Sequence, residues 1–202
     1  MWSLGNYRYL IVFIGLTSVI LFALPSVLMV VHMPNGESFS ELYVLGSGHM
    51  AEGYPFNVSS SNEYSVILGV GNDLGNSASY EIDVKLLNSS DLAPNDTSGV
   101  PSPSPALYEY RVFLMDGQTL EKTLNFSFSN VNVPSNGSIS SVDLMNINSI
   151  SIEVNKTATW DSVNSGYYYR IVAELWRYNT TCSTFVFDGR FVSLWLSMTS
   201  NA

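Results

Sequence analysis

The chain contains a single cysteine, Cys182, so no disulfide can close within it and the fold must rest on its own core. Cys182 is expected to be a small buried apolar group, with pairing between two chains as the alternative. Basic residues are scarce: eight lysines and arginines stand against seventeen acidic residues, for a formal net charge of −9. That balance argues against nucleic acid as a partner, because phosphate neutralisation needs clustered Lys and Arg. Charged residues of both signs make up only 12% of the chain, about half the usual share. Solubility must then come from uncharged polar groups. Such a composition also suits an acidic exterior, where stability resting on ion pairs is lost as carboxylates protonate.

Histidine is nearly absent, which removes most catalytic and metal chemistry. The two histidines are His32 and His49. A metal site needs three or four ligands; His49 and Glu52 supply two, and nothing nearby completes the set. A blue-copper arrangement on Cys182 and Met198 fails because no histidine lies near the cysteine. There is no Gly-x-Ser-x-Gly, and a Ser–His–Asp triad would have to use His49. Gly46-Ser47-Gly48 is followed by no helical pattern, so it is not a dinucleotide loop. Asp73, Glu81 and Asp83 read as solvated turn and strand positions. The expectation is a protein without enzymatic activity, metal or cofactor.

What the sequence does have is one long apolar run, Tyr9 to Val31, with no charged side chain. At ~1.5 Å per residue a helix of this length measures about 35 Å, enough to cross a ~30 Å hydrocarbon core with some tilt. Arg8 and the amino terminus precede the run, Glu37 and Glu41 follow it, and the next basic residue is Lys85. Positive charge stays on the cytoplasmic side, so the amino terminus is expected inside and the remainder outside. A cleaved signal peptide is the alternative. Its apolar core is usually ~7–15 residues with a small-residue exit, whereas this run is longer and ends Leu28-Met29-Val30-Val31-His32-Met33. The expected organisation is therefore a cytoplasmic segment 1–8, a membrane helix 9–31 containing Pro25, a linker 32–37 and an extracytoplasmic domain 38–202. That makes a single-pass protein of the cell membrane.

After Val31 strand patterns replace helical ones. Tyr80, Ile82, Val84 and Leu86 alternate with Glu81, Asp83 and Lys85, predicting one buried and one wet face. Tyr64, Val66, Leu68 and Val70 form a similar stripe, and the turn-like link 71–76 predicts that the two runs pair as a hairpin. Tyr108 to Leu114 is followed by a tight turn at Asp116-Gly117 and by a strand carrying Leu120, Leu124, Phe126 and Phe128. Further strands are expected at Phe39 to Leu45, Val142 to Leu144, Ser149 to Val154, Tyr167 to Tyr178 and Arg190 to Met198. Eight or nine short strands with regular turns predict an immunoglobulin-like antiparallel β-sandwich, making the chain mainly β after its helix. Asn88 to Pro105, rich in Pro, Ser and Asn, is the one long loop.

Seven Asn-x-Ser/Thr sequons, at Asn57, Asn88, Asn95, Asn125, Asn136, Asn155 and Asn179, all fall in the outer segment. Chance would give about half that number, so N-linked glycans are expected on this surface. Aromatic residues concentrate near the carboxy terminus. Tyr167, Tyr168, Tyr169, Trp176, Tyr178 and Trp195 lie on neighbouring predicted strands, and the 167–178 run is apolar or aromatic on both faces. Such a strand is either central and covered or part of a partner interface, a role Tyr and Trp favour.

The segments Phe39-Ser40-Glu41-Leu42-Tyr43-Val44-Leu45-Gly46, Ala51-Glu52-Gly53-Tyr54-Pro55, 64–72 and Tyr80-Glu81-Ile82-Asp83-Val84 resemble an archaeal membrane-protein family, the domain-of-unknown-function family sixteen-sixteen. A looser likeness continues at Tyr169-Arg170 and Phe191 to Leu196. Members commonly carry several membrane helices before this domain, where this chain has one. The resemblance implies an archaeal envelope context and a β-sandwich, and supplies no catalytic residues. Together these readings predict a non-enzymatic accessory or structural subunit of a membrane or cell-envelope complex, meeting the lipid bilayer and other subunits through its helix and outer domain. A pilin-like or stator-like filament protein and a surface-glycan or S-layer binding module are the alternatives.

Overall fold

A computed structural model describes residues 4–31, 38–134 and 139–199. The chain divides into two compact units, Met1–Ser38 and Phe39–Ala202. Among the described residues the first contains one helix, α1 (Leu4–Val31), which continues through Pro25. Its segment Tyr7–Leu24 has a mean hydropathy of 2.0 and buries nothing against the protein, so by length and composition it is fit to cross a membrane.

The described residues of the second unit form a sandwich of ten strands: β1 (Phe39–Gly46), β2 (Asn57–Ser59), β3 (Glu63–Asp73), β4 (Ala78–Asn88), β5 (Tyr108–Leu114), β6 (Gln118–Asn132), β7 (Ile139–Ile147), β8 (Ile150–Thr159), β9 (Tyr167–Asn179) and β10 (Thr184–Thr199). One sheet has the order β1-β3-β6-β7-β8 and the other β2-β10-β9-β4-β5. The opening strand is split: β1 joins the first sheet, while β2 runs parallel to the last strand, β10, in the second. β3 lies beside β6, and β4 and β9 are neighbours. This is the immunoglobulin-like arrangement.

The inward faces follow the alternation in the sequence. Tyr80, Ile82, Val84 and Leu86 of β4 meet Leu124, Phe126 and Phe128 of β6 in one core with Tyr167, Tyr169 and Ile171 of β9. The expected pairing of the 64–70 and 80–86 runs is overturned, because β3 and β4 belong to different sheets. Their link is a corner rather than a hairpin turn. Asn72, fully buried, donates from Nδ2 to the Asn76 and Leu114 carbonyls at 2.8 and 3.1 Å and accepts from the Tyr80 hydroxyl at 3.0 Å. A buried amide with these partners is satisfied only where both sheets meet. The Asp116-Gly117 turn likewise carries the chain from β5 to β6 in the opposite sheet, with Gly117 at φ 71° and its N–H on the Asn72 carbonyl at 2.7 Å.

Candidate functional site

The outer face of the second sheet has two distinct regions. In its middle, the charged stripe of β4 is covered rather than wet: Glu81 and Asp83 are 9% exposed and Lys85 4%. The segment 89–107 folds back over β4 and β9 and supplies the cover. Lys85 Nζ donates to Glu174 at 2.7 Å and to the Ser102 carbonyl at 2.9 Å, and the Ser102 N–H donates to the other Glu174 oxygen at 2.7 Å. Glu174 is fully buried, so this pair survives burial because each charge is both countered and hydrogen-bonded. The start of the same segment is tied across to the other sheet: Asn88 Nδ2 donates to the Thr157 carbonyl at 2.8 Å, and Lys156 Nζ to Asp91 at 2.7 Å.

Beside this pair, the carboxylates of Glu81, Asp83 and Glu109 lie within 4.8 Å of one another. Arg111 bonds Glu81 and reaches Glu109 at 3.5 Å, which neutralises part of the cluster. Asp83 Oδ1 has no hydrogen-bond partner among the described residues. Burial, followed by the neighbouring Glu81 charge, pushes the Asp83 carboxyl up to about 6.

At one end of the same face the sheet stays open. Phe56, Tyr168 and Trp195 line a cleft of about 560 Å³ with Ser89, Thr159, Asp161 and Asn164. β4 ends here, at Asn88, whereas β1 begins beside the other end of the sandwich, at the Phe39↔Asp73 pair. Each ring is placed by a separate element. The Phe56 carbonyl accepts from the Ser197 N–H of β10 at 2.7 Å. Tyr168 points outward from β9, its hydroxyl donating to the Asn164 carbonyl at 2.6 Å and its ring 6.2 Å from that of Phe56. Trp195 pairs with Arg170 in the β9–β10 register, and the Arg170 guanidinium stacks 4.9 Å from its ring.

The polar rim comes from a tight loop closed by mutual backbone bonds between Asp161 and Gly166. Asp161 Oδ1 accepts from the N–H groups of Val163 and Asn164, and Oδ2 from the Asn164 side chain, an Asx-type turn. Those bonds, the Asn164 side chain first, hold the Asp161 carboxyl below its ordinary range. Gly166 lets the Tyr168 ring lie close: a Cβ there would sit 3.0 Å from the ring, so the ring would have to give by a few tenths of an ångström. Arg170 contrasts with Asp161. Its Nε is buried without a hydrogen-bond partner among the described residues, and burial draws the guanidinium pKa down.

The six aromatic residues singled out as an interface are separated by the structure. Tyr167 and Tyr169 are 1% and 0% exposed, so they belong to the core, with hydroxyls on the Pro134 and Ser140 carbonyls. They share strand parity with Ile171, Ala173 and Leu175, which fixes them inward. Trp176 and Tyr178 lie toward the other end of β9, Trp176 tilted against Phe187 and Tyr178 edge-to-face with Phe185. Tyr168 and Trp195 alone reach the cleft. Phe56, Asp161 and Asn164 carry no periodic signal; the Asp/Ser/Asn/Gly composition of 161–166 is that of a turn and does not by itself point to a site.

Among the sequon asparagines, Asn57, Asn95, Asn155 and Asn179 are exposed and Asn88 and Asn125 half-buried, while Asn136 lies outside the described residues. His32 also lies outside them. His49 Nδ1 is 2.8 Å from Glu121, across the first sheet, rather than joined to Glu52. Cys182, expected to be buried, is exposed in the β9–β10 turn, because that hairpin projects beyond the core.

Among solved structures, the chain is similar to a β-glucosidase from Listeria innocua, at 8% identity and a TM-score of 0.41 over 82% of this chain, which spans 16% of that enzyme's length. The same enzyme with isofagomine gives 12% identity and 0.42 over the same share of each chain. A CARDB domain from Pyrococcus furiosus, solved with di-metal ions, matches at 12% identity and a TM-score of 0.40, over 81% of this chain and 97% of that one. No curated protein matches. The family described as "Domain of unknown function (DUF1616)" matches residues 33–135, just over half of the 202-residue chain and all of it beyond the apolar helix, and the chain belongs to that family.

Proposed function

We propose that this protein is a non-enzymatic, single-span component of the cell envelope. Its helix is held in the membrane with the amino terminus inside, and its outer sandwich docks onto another envelope component through the aromatic cleft. The observation that carries this reading is the convergence of Phe56, Tyr168 and Trp195, from three separate chain segments, on one open cleft. Phe56 is 49% and Trp195 44% exposed. Large aromatic side chains left exposed together, rimmed by polar groups, mark interaction sites, and Trp, Tyr and Arg dominate the energetics of such sites. Asp161, the carboxylate lining the cleft, has both oxygens engaged in its own turn, which favours recognition over acid–base chemistry.

The exposed sequon asparagines fit a glycosylated outer surface, with N-linked glycans at Asn57, Asn95, Asn155 and Asn179. Asn88 is a poorer acceptor, because its Nδ2 is engaged with the Thr157 carbonyl and its Oδ1 organises the 88–91 turn.

The test is retention of companions. The full chain, tagged at its carboxy terminus, is extracted from native membranes in a mild non-glycosidic detergent, and what travels with it is quantified by mass spectrometry. A stoichiometric companion kept by the wild type and lost by Phe56→Ala/Trp195→Ala is expected. Companions unchanged in that variant, or a protein that purifies alone or as filaments, would overturn the reading.

A further inference from the structure

The cleft carries more information than its aromatic content, because its polar groups constrain the chemistry of what it takes. We propose that its ligand is a neutral, hydroxyl-rich glycan, bound with pyranose rings against Phe56, Tyr168 and Trp195; this rests on the reading of the cleft as the docking site.

The first argument is shape. A cleft of about 560 Å³ walled by aromatic rings is sized for a short oligomer rather than a flat protein surface. Aromatic faces carry partial negative charge, and the C–H groups on the faces of a sugar ring are weakly positive, so the two surfaces match over an area that is largely apolar.

The second argument is charge. The lining of the cleft includes one carboxylate, Asp161; one guanidinium, that of Arg170, lies against the ring of its Trp195 wall. Asp161 is held ionised by three hydrogen bonds. On the other side the Arg170 guanidinium stacks on Trp195, and its buried Nε has no hydrogen-bond partner among the described residues. An anionic ligand meets the Asp161 charge and a cationic one meets Arg170. A hydroxyl suits both, since it donates to a carboxylate and accepts from a guanidinium. Ser89, Thr159 and Asn164 add further donors and acceptors. A purely apolar ligand such as a lipid chain would cover these groups without replacing their bonds to water, which disfavours it.

The third argument concerns peptides. An extended peptide is usually held by the backbone of a sheet edge. The edge strand beside the cleft, β2, is only three residues long, while the cleft itself is lined by rings, hydroxyls, an amide and a carboxylate.

The experiment uses the full chain in nanodiscs prepared without glycosidic detergent. Tryptophan fluorescence and calorimetry follow titration with three soluble probes: a neutral mannan oligosaccharide, an oligogalacturonate and a chitosan oligosaccharide. Saturable binding of the neutral probe is expected, with affinity at least tenfold weaker in Trp195→Ala and unchanged in Trp176→Ala, which lies at the other end of β9. Gly166→Ala, which displaces Tyr168 without touching the core, is expected to weaken it severalfold and guards against loss of fold as an explanation. Preference for either charged probe would overturn the assignment of a neutral ligand. Binding of no probe, with companions still lost in Phe56→Ala/Trp195→Ala, would overturn the glycan assignment and leave a protein ligand in the cleft. Indifference of both readouts to the cleft variants would overturn the docking site as well.

Discussion

Arg170 and Glu174 stand four residues apart on the same face of β9, yet they are handled in opposite ways. Glu174 is fully buried; the 89–107 segment closes over it, Lys85 counters its charge and both oxygens are bonded. Arg170 has a ring for company and a buried Nε with no acceptor among the described residues. The difference shows where the chain completes its own chemistry and where it stops. Under the loop both charges of the Lys85–Glu174 pair are satisfied within the chain, so removing one partner alone would leave the other buried and unpaired. At the open end the aromatic rings of Phe56 and Trp195 are left partly facing solvent, and no loop among the described residues closes over them.

The sharpest way to break this comparison is to remove one partner from the covered side. Lys85→Met leaves Glu174 as an uncompensated buried charge, for which a loss of about 3–5 kcal/mol is expected. In a domain of this size each kcal/mol is roughly 2–4 °C in thermal midpoint, so circular dichroism melting should show a drop of about 10 °C. The paired change Lys85→Met/Glu174→Leu should recover most of it, because two apolar groups replace two charges.

Asp83 gives the next effect, and its sign is unusual for a carboxylate. Its folded pKa, about 6, lies above the unfolded value near 3.8, so between these values the folded state holds more protons than the unfolded one. Stability from this group is therefore greatest below about pH 4 and falls as pH rises through about 6. A shift of roughly two units corresponds to at most about 3 kcal/mol. Urea unfolding from pH 4 to 8 should show that slope, and Asp83→Asn should flatten it while raising stability at pH 7.5.

On the open side the pattern reverses: small effects on stability and large ones on binding. Trp195→Ala should cost about 1 kcal/mol or less, since the side chain is nearly half exposed. It should nonetheless weaken ligand or companion binding at least tenfold. Gly166→Ala should be smaller again, a few tenths of a kcal/mol in a urea titration, because the Tyr168 ring has only to yield by a few tenths of an ångström.

Much of this architecture was legible in the sequence because period-2 alternation reports burial directly. Tyr80, Ile82, Val84 and Leu86 were readable as an inward face, and they are inward. What alternation does not report is what lies on the opposite face. Glu81, Asp83 and Lys85 have the same pattern whether water or a distant loop covers them, so the burial of that stripe was invisible. Nor does it name a strand's partner. The 64–70 and 80–86 runs looked like a hairpin because their link has turn composition, yet the buried Asn72 makes it a corner between sheets. The cleft was half legible. Tyr168 and Trp195 stood out as aromatics, and strand parity could have separated Tyr168 from Tyr167 and Tyr169. Phe56, Asp161 and Asn164 come from irregular segments, and only three-dimensional closure brings them to the same place.

The most direct test of the account compares two single variants of the full chain, Trp195→Ala in the cleft and Trp176→Ala at the far end of the same face. Each is isolated from native membranes, and its companions are quantified against the wild type. The account predicts that the companion is lost with Trp195→Ala and kept with Trp176→Ala. Equal retention in both would contradict the claim that the open aromatic cleft is where this protein meets its partner.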